Sequence, residues 1–349
     1  MAPHPPLPPT LAWHGEQDGH LRLLDQTRLP HERRVLELHD VDGVIEAIVA
    51  LRVRGAPAIG VAAAYGLYLG VRDKLPLSQA LIGVTRDVAV RLMAARPTAV
   101  NLQWALERCI AALRDDASLP RLLATAHAIA AEDRAMCTAI GEHGRALVPP
   151  GGTVLTHCNT GALATAGSGT ALAVLFAAWQ HGVRFHVLAD ETRPLLQGAR
   201  LTALELAAAG IPVELVVDGA GPGLIARGQV QLVVVGADRI TRNGDFANKV
   251  GTYGLALACA AHRVPFYVAA PTSTFDPRLP NGAAIPIEER DATEVTMLAG
   301  QRVAPLGVGA RNPAFDVTPG RLVRGFVTDR GLLEPPFESA IKGLLDGSR

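Results

Sequence analysis

Thr153-Val-Leu-Thr-His-Cys-Asn-Thr-Gly161 is the stretch on which the reading of this 349-residue chain turns. Apolar and β-branched residues run into a polar turn carrying the thiol of Cys158. Gly161, Gly167 and Gly169 follow, and an Ala/Leu-rich helical run opens at Thr170. The pattern predicts a buried parallel strand whose C-terminal end sets Cys158 at the edge where open α/β sheets bind ligands.

Downstream, the same alternation repeats. Strands are expected at Thr153–Thr156, Arg184–Leu188, Val213–Val217, Leu232–Val235 and Pro265–Ala269. Helices are expected between them, near Thr170–His181, Ala199–Ala209, Gly223–Arg227 and Gly251–His262. Leu232-Val-Val-Val235 is apolar on both faces, as a strand covered by helices on both sides must be. Repeated strand–helix units imply a Rossmann-like, doubly wound parallel sheet over residues 149–349.

Upstream the pattern is different. Residues 1–10 are proline-rich and read as a flexible tail. Leu11–Trp13, Leu21–Asp25 and Val35–His39 read as short strands of an antiparallel sheet. Helical spacing then covers Val41–Arg52, Ile59–Leu69, Ser78–Ala95, Ala99–Arg114 and Leu119–Leu147. Residues 11–148 are therefore expected to form a mainly helical N-terminal domain, with Pro149-Pro-Gly-Gly152 as the boundary. The fold class is α/β.

Composition narrows the function. A formal net charge of +0 and a pI near 7.2 leave no basic excess for nucleic acid. Cys109, Cys137, Cys158 and Cys259 form no CxxC pair, which fits a reducing cytoplasm and argues against a zinc ribbon. No stretch approaches the roughly 20 apolar residues that span a bilayer. No His/Asp/Glu/Cys spacing matches a metal-ligand set, so no metal is expected.

Four expected strands end in polar clusters: His157-Cys158-Asn159, Asp190-Glu-Thr-Arg193 with Gln197 beyond, Gly236-Ala-Asp238-Arg239 followed by Asn248-Lys249, and Pro271-Thr-Ser-Thr274. Their convergence on one sheet edge marks a site more strongly than any single residue does. Cys158 is either a buried small hydrophobe, as the other cysteines read, or a functional thiol. Asp238 is either a turn cap or a carboxyl desolvated by the apolar run before it and able to donate a proton. Arg54 precedes Gly55, Ala56 and a new helix, either as a phosphate cradle or as a solvated turn arginine. Arg96 ends a helix, where it complements the dipole. Gly167-Ser-Gly169 and Asp190 also sketch a dinucleotide site, although Leu172 stands where a third glycine belongs.

Eight segments, from Leu24-Asp-Gln-Thr-Arg-Leu-Pro30 through Arg52-Val-Arg-Gly-Ala-Pro-Ala-Ile-Gly60, Ala95–Leu102, Thr156–Gly161, Asp190–Pro194, Gln197–Thr202 and Gly236–Ile240 to Asn243–Lys249, closely resemble the methylthioribose-1-phosphate isomerase family. So do Pro271–Phe275 and Ile287–Arg290, and the matches run in order from about Leu11 to Phe337. The resemblance implies an aldose–ketose isomerase of methionine salvage. It implies Asp238 as proton donor and Cys158 as transition-state stabiliser or proton shuttle. Arg54, Gly55, Ala56, Arg96, Gln197, Asn248 and Lys249 become substrate-binding positions. It also implies a homodimer acting on a small sugar phosphate without a cofactor. Relatives on the same scaffold isomerise ribose 1,5-bisphosphate or 5-deoxyribose 1-phosphate, or serve as regulatory subunits of a translation-initiation exchange factor. The paired Cys158 and Asp238 speak against the last class.

Overall fold

The computed structural model describes residues 6–74, 81–96 and 100–347. Two compact units are present. Among the described residues, one comprises those within 7–137 together with 161–169, and the other those within 138–160 and 170–347 together with Pro6. The division expected at Pro149–Gly152 is drawn differently by these units, and the glycine-bearing stretch 161–169 is counted with the N-terminal one.

In the N-terminal unit, β1 (Leu11–His14), β2 (His20–Leu24) and β3 (Val35–Leu38) form an antiparallel sheet in that order. Helices α1 (Val41–Val49), α2 (Ala56–Arg72), α3 (Leu81–Ala95), α4 (Val100–Ala112) and α5 (Leu119–Gly144) follow. Every residue of α2 from Ala58 to Val71 is buried. A helix apolar on all faces belongs at the centre of its bundle, and α2 shares one hydrophobic core with Val44, Val88, Leu102 and Ala126 from the surrounding helices. The expected helix start at Ser78, that at Ala99 and the break at Pro97 lie outside the described residues.

The second unit carries β4 (Thr153–Thr156), α6 (Ala171–Gln180), β5 (His186–Asp190), α7 (Ala203–Ala208), β6 (Val213–Val216), α8 (Gly221–Ala226), β7 (Leu232–Val235), β8 (Arg239–Thr241), β9 (Phe246–Lys249), α9 (Thr252–His262) and β10 (Phe266–Ala269). Then come β11 (Phe275–Asp276), α10 (Thr293–Thr296), β12 (Met297–Leu298), β13 (Gln301–Arg302), β14 (Phe315–Thr318), β15 (Gly325–Thr328), β16 (Gly331–Leu333) and α11 (Phe337–Leu345). The main sheet has seven strands in the order β16-β15-β10-β7-β4-β5-β6. It is parallel except where β16 closes back on β15.

Successive strand residues feed opposite cores. Val154, Val187, Leu232 and Val234 pack with Leu172 and Leu175 of α6. Leu155, Leu188, Val233 and Val235 pack with Leu255 of α9 and Ile341 of α11. This is the period-two alternation of a strand buried on both faces, and it makes the sheet doubly wound. From β4 the chain steps outward through β5 to β6, then returns to the other side of β4 with β7. The switch point therefore lies between β4 and β7, the crevice where such sheets bind ligands.

Three features depart from the sequence expectation. The two-strand extension β15–β16 and a separate four-stranded sheet, β11-β8-β9-β14, were not anticipated. The helix expected over Ala199–Ala209 is instead a π-helical turn at Gly198–Thr202 running into α7. The turn brings Gly198 so close to β5 that only glycine fits, because a Cβ there would lie 1.7 Å from the Asp190 carbonyl oxygen.

Candidate active site

Cys158 lies just past β4 with φ of 64°, a left-handed conformation that costs a non-glycine residue roughly 1–2 kcal/mol. Neighbouring hydrogen bonds hold it there. Its N–H donates to Thr192 Oγ1 at 2.9 Å, and Thr202 Oγ1 donates to its carbonyl at 2.7 Å. His157 and Asn159, on either side, are buried. The Asn159 amide donates to Glu205 Oε1 at 2.7 Å and to Thr202 Oγ1 at 3.2 Å. With both neighbours turned inward and fastened, Cys158 is the partly exposed member of the turn, while Cys109, Cys137 and Cys259 are buried and their thiols are pushed up to about 12 by desolvation.

Asp238 occupies the matching place past β7, and its N–H donates to the Ala247 carbonyl at 2.9 Å. The two strand ends are close: a Cβ on Gly236 would come within 2.5 Å of Thr160 Cγ2. The β8–β9 hairpin brings Asn248 and Lys249 to the same edge. Asn248 is buried and donates to Thr252 Oγ1 at 2.9 Å. Lys249 Nζ donates to the Ala314 carbonyl at 2.7 Å and lies 4.7 Å from the centroid of the Phe315 ring. Gln197 opens the π-helical turn, and its Oε1 is buried without a hydrogen-bond donor among the described residues. A carbonyl left so costs about 1–3 kcal/mol.

The structure thus gathers Cys158, Gln197, Asp238, Asn248 and Lys249 at one edge of the sheet in one unit. Arg54, Gly55, Ala56 and Arg96 belong to the other unit. Gly55 caps the start of α2 with φ of 87°, and a Cβ there would meet the Ala164 carbonyl oxygen at 2.5 Å, so only glycine fits. Arg96 follows the end of α3, its N–H on the Met93 carbonyl at 3.3 Å. Arg193 is a brace, donating to the carbonyls of Pro194 and Val295.

Beneath the Cys158 turn lies a pair whose members each stand in a polar strand-end cluster but whose pairing the sequence does not reveal. His157 Nδ1 is 2.8 Å from Asp190 Oδ2, and Nε2 is 2.9 Å from the Val250 carbonyl. Both side chains are essentially inaccessible, at 0% and 1%. Burial alone pushes the His157 ring downward, but the adjoining Asp190 carboxylate more than reverses this and raises it above its ordinary value. Desolvation raises Asp190. The available signal was register: β4 and β5 are parallel neighbours with Thr156 opposite Ala189, so the residue after β4 meets the last residue of β5.

The dinucleotide outline does not survive this geometry. The N–H groups of Gly167 and Gly169 both donate to Thr165 Oγ1, and Asp190 is engaged by His157. His157, Asp190 and Asp218 are metal-ligand types within reach of one another. However, the Asp218 oxygens already accept the N–H groups of Thr192 and Arg193, and both His157 nitrogens are bonded. His20, Glu37 and His39 form a second such group on the N-terminal sheet.

A doubly wound sheet with a thiol and a carboxyl on either side of its switch point lies within residues 52–335, the span matched by the model of the Initiation factor 2 subunit family. The chain belongs to that family and, within it, to the methylthioribose-1-phosphate isomerases. The methylthioribose-1-phosphate isomerase of Gemmatimonas aurantiaca is 55% identical over 345 residues, 97% of this chain and 98% of that one. The crystal structure of 5-methylthioribose 1-phosphate isomerase from Pyrococcus horikoshii OT3 superposes with a TM-score of 0.89 at 40% identity, covering 98% and 97% of the two chains. A translation initiation factor eIF-2B delta subunit from A. fulgidus is also similar, with TM-score 0.85, 39% identity and coverage of 97% and 100%.

Proposed function

We propose that this chain isomerises 5-methylthioribose 1-phosphate to 5-methylthioribulose 1-phosphate in methionine salvage, working as a cytoplasmic homodimer. The observation that carries the reading is the placement of Cys158 and Asp238 on adjacent strand ends at the switch point, in a chain whose curated relatives bear that enzyme's name.

The substrate sets the chemical problem. Its anomeric oxygen is esterified, so the ring cannot open to a free aldehyde. Asp238 donates a proton to the ring oxygen as the bond from C1 breaks, leaving C1 electron-poor beside the phosphate ester oxygen. Hydrogen then moves from C2 to C1, and the C2 hydroxyl gives up its proton to become the ketone. The proton taken up at the ring oxygen balances the one released. Cys158 either carries hydrogen between the carbons as a proton or stabilises charge while it migrates as hydride. Gln197 Oε1 offers an acceptor to a sugar hydroxyl. On this sheet edge Asn248 and Lys249 bind further polar groups of the substrate, and the Arg54-Gly55-Ala56 helix start, with its α2 amides, is by its own chemistry suited to phosphate.

The test is turnover of a panel of 5-methylthio, 5-deoxy and 5-phospho ribose 1-phosphates by the parent chain and by Cys158→Ala and Asp238→Asn. Each substitution is expected to lower kcat by about 10²–10⁴-fold, the range of a lost acid–base group, with the fold intact. Near-parental turnover in either variant overturns that residue's role. A parent chain inactive on the whole panel favours the non-catalytic reading suggested by the similarity to the A. fulgidus subunit.

A further inference from the structure

We propose that the buried His157–Asp190 pair is the positioning device of this site, holding the Cys158 turn at a fixed distance from the Asn248-Lys249 strand end. The inference rests on the reading of Cys158 as a reacting group. It starts from proton bookkeeping. A carbonyl oxygen only accepts, so the 2.9 Å contact between His157 Nε2 and the Val250 carbonyl requires a proton on Nε2. The 2.8 Å contact between Nδ1 and Asp190 Oδ2 requires one more proton, shared between ring and carboxyl. The imidazole is therefore a rigid strut with both ends fastened.

Three separate segments meet on this strut. His157 is the residue before Cys158. Asp190 ends β5, and its carbonyl accepts from Thr192 Oγ1 at 3.0 Å, the hydroxyl that also receives the Cys158 N–H. Val250 directly follows Lys249. The ring is closely packed as well: a Cβ on Gly251, whose φ is 110°, would lie 2.9 Å from His157 Cε1. Asp316 then receives the N–H groups of Gly251 and Tyr253, fixing the start of α9 on the far side of Val250. Displacement of about 1 Å at a reacting group can cost roughly a hundredfold in rate.

The variants divide by which bonds they leave. In Asp190→Asn the amide donates to Nδ1 while Nε2–H stays on Val250, so both ends of the strut survive without charge. Asp190→Ala frees one end, and His157→Phe frees both while filling the space. Positioning predicts kcat lowered about a hundredfold in Asp190→Ala and His157→Phe, with KM changed less than about fivefold, and kcat within about tenfold of the parent in Asp190→Asn. Alkylation of Cys158 by iodoacetamide on the folded chain, read by mass spectrometry against the three buried cysteines, should change in rate in the first two variants and return in the third. Folded Asp190→Ala with parental kcat and parental alkylation overturns the proposal. So does Asp190→Asn falling as far as Asp190→Ala, which assigns the effect to charge. If His157→Phe fails to fold, the Asp190 pair carries the test. Cys158→Ala is run in parallel: full turnover there removes the reading of Cys158 as a reacting group, whereas a dead Cys158→Ala beside fully active Asp190→Ala removes the strut alone.

Discussion

Single residues carry unequal burdens in this chain, and Asp133 shows how burial alone makes a titration visible. It lies on α5, is 5% exposed, and accepts the Ala166 N–H on Oδ2 at 2.6 Å. Desolvation lifts its carboxyl from 3.8 to about 6, against the pull of that hydrogen bond and of Arg134. A folded-state value above the unfolded one adds stability that is complete below about 3.8 and is lost as pH rises through about 6. Asp133→Asn keeps an oxygen for Ala166 and removes the charge. It should raise the melting temperature at pH 8, by at most about 3 kcal/mol of stability, and leave it nearly unchanged at pH 4. Equal shifts at the two pH values contradict this. The same residue scale shows what was readable in the chain: Cys158, His157 and Asp190 all stood out by their place at strand ends, but the partnership of His157 with Asp190 did not, because it is made by strand register rather than by spacing.

Elements were legible in proportion to how uniformly they are buried. β4 at Thr153–Thr156 and β7 at Leu232–Val235 match the expected bounds, because each is an unbroken run of apolar or β-branched residues, as strands covered on both faces require. The hairpin β8–β9 and its partners β11 and β14 escaped notice. Phe246-Ala-Asn-Lys249 mixes an aromatic anchor with a buried asparagine and a lysine that bond to Thr252 and Ala314, so no period appears over so few positions. The π-helical turn at Gly198–Thr202 was also invisible, since helical spacing does not distinguish a loose turn from a regular one. It makes a sharp prediction. Gly198→Ala puts a methyl into the Asp190 carbonyl, and both sides of the clash are backbone. The urea midpoint should fall by the equivalent of about 2 kcal/mol or more, and kcat should fall with it because Gln197 is the adjoining residue. Parental stability in Gly198→Ala would show that the turn can rewind at no cost.

For the whole molecule, the two units are not consecutive in the chain. The path leaves the second unit directly after Thr160, spends residues 161–169 in the first, and re-enters at Thr170 to begin α6. That short excursion supplies much of what finishes the N-terminal unit. Ala162 accepts from Thr10 Oγ1 at 2.6 Å, Leu163 accepts from Gln26 Nε2 at 2.7 Å, Ala164 lies against Gly55, and Ala166 donates to Asp133. Residues 7–137 expressed alone should therefore melt non-cooperatively, and recover a sharp transition when a peptide of residues 161–169 is fused through a flexible linker. A sharp melt of the bare fragment would contradict this. The consequence reaches the ribosome. Thr10 and Ala162 are separated by 152 positions, so the first unit to be synthesised cannot close until the start of the second has emerged. During translation the N-terminal helices wait with their last hydrogen bonds unmade, and the segment that completes them is the one spliced in immediately behind the Cys158 turn.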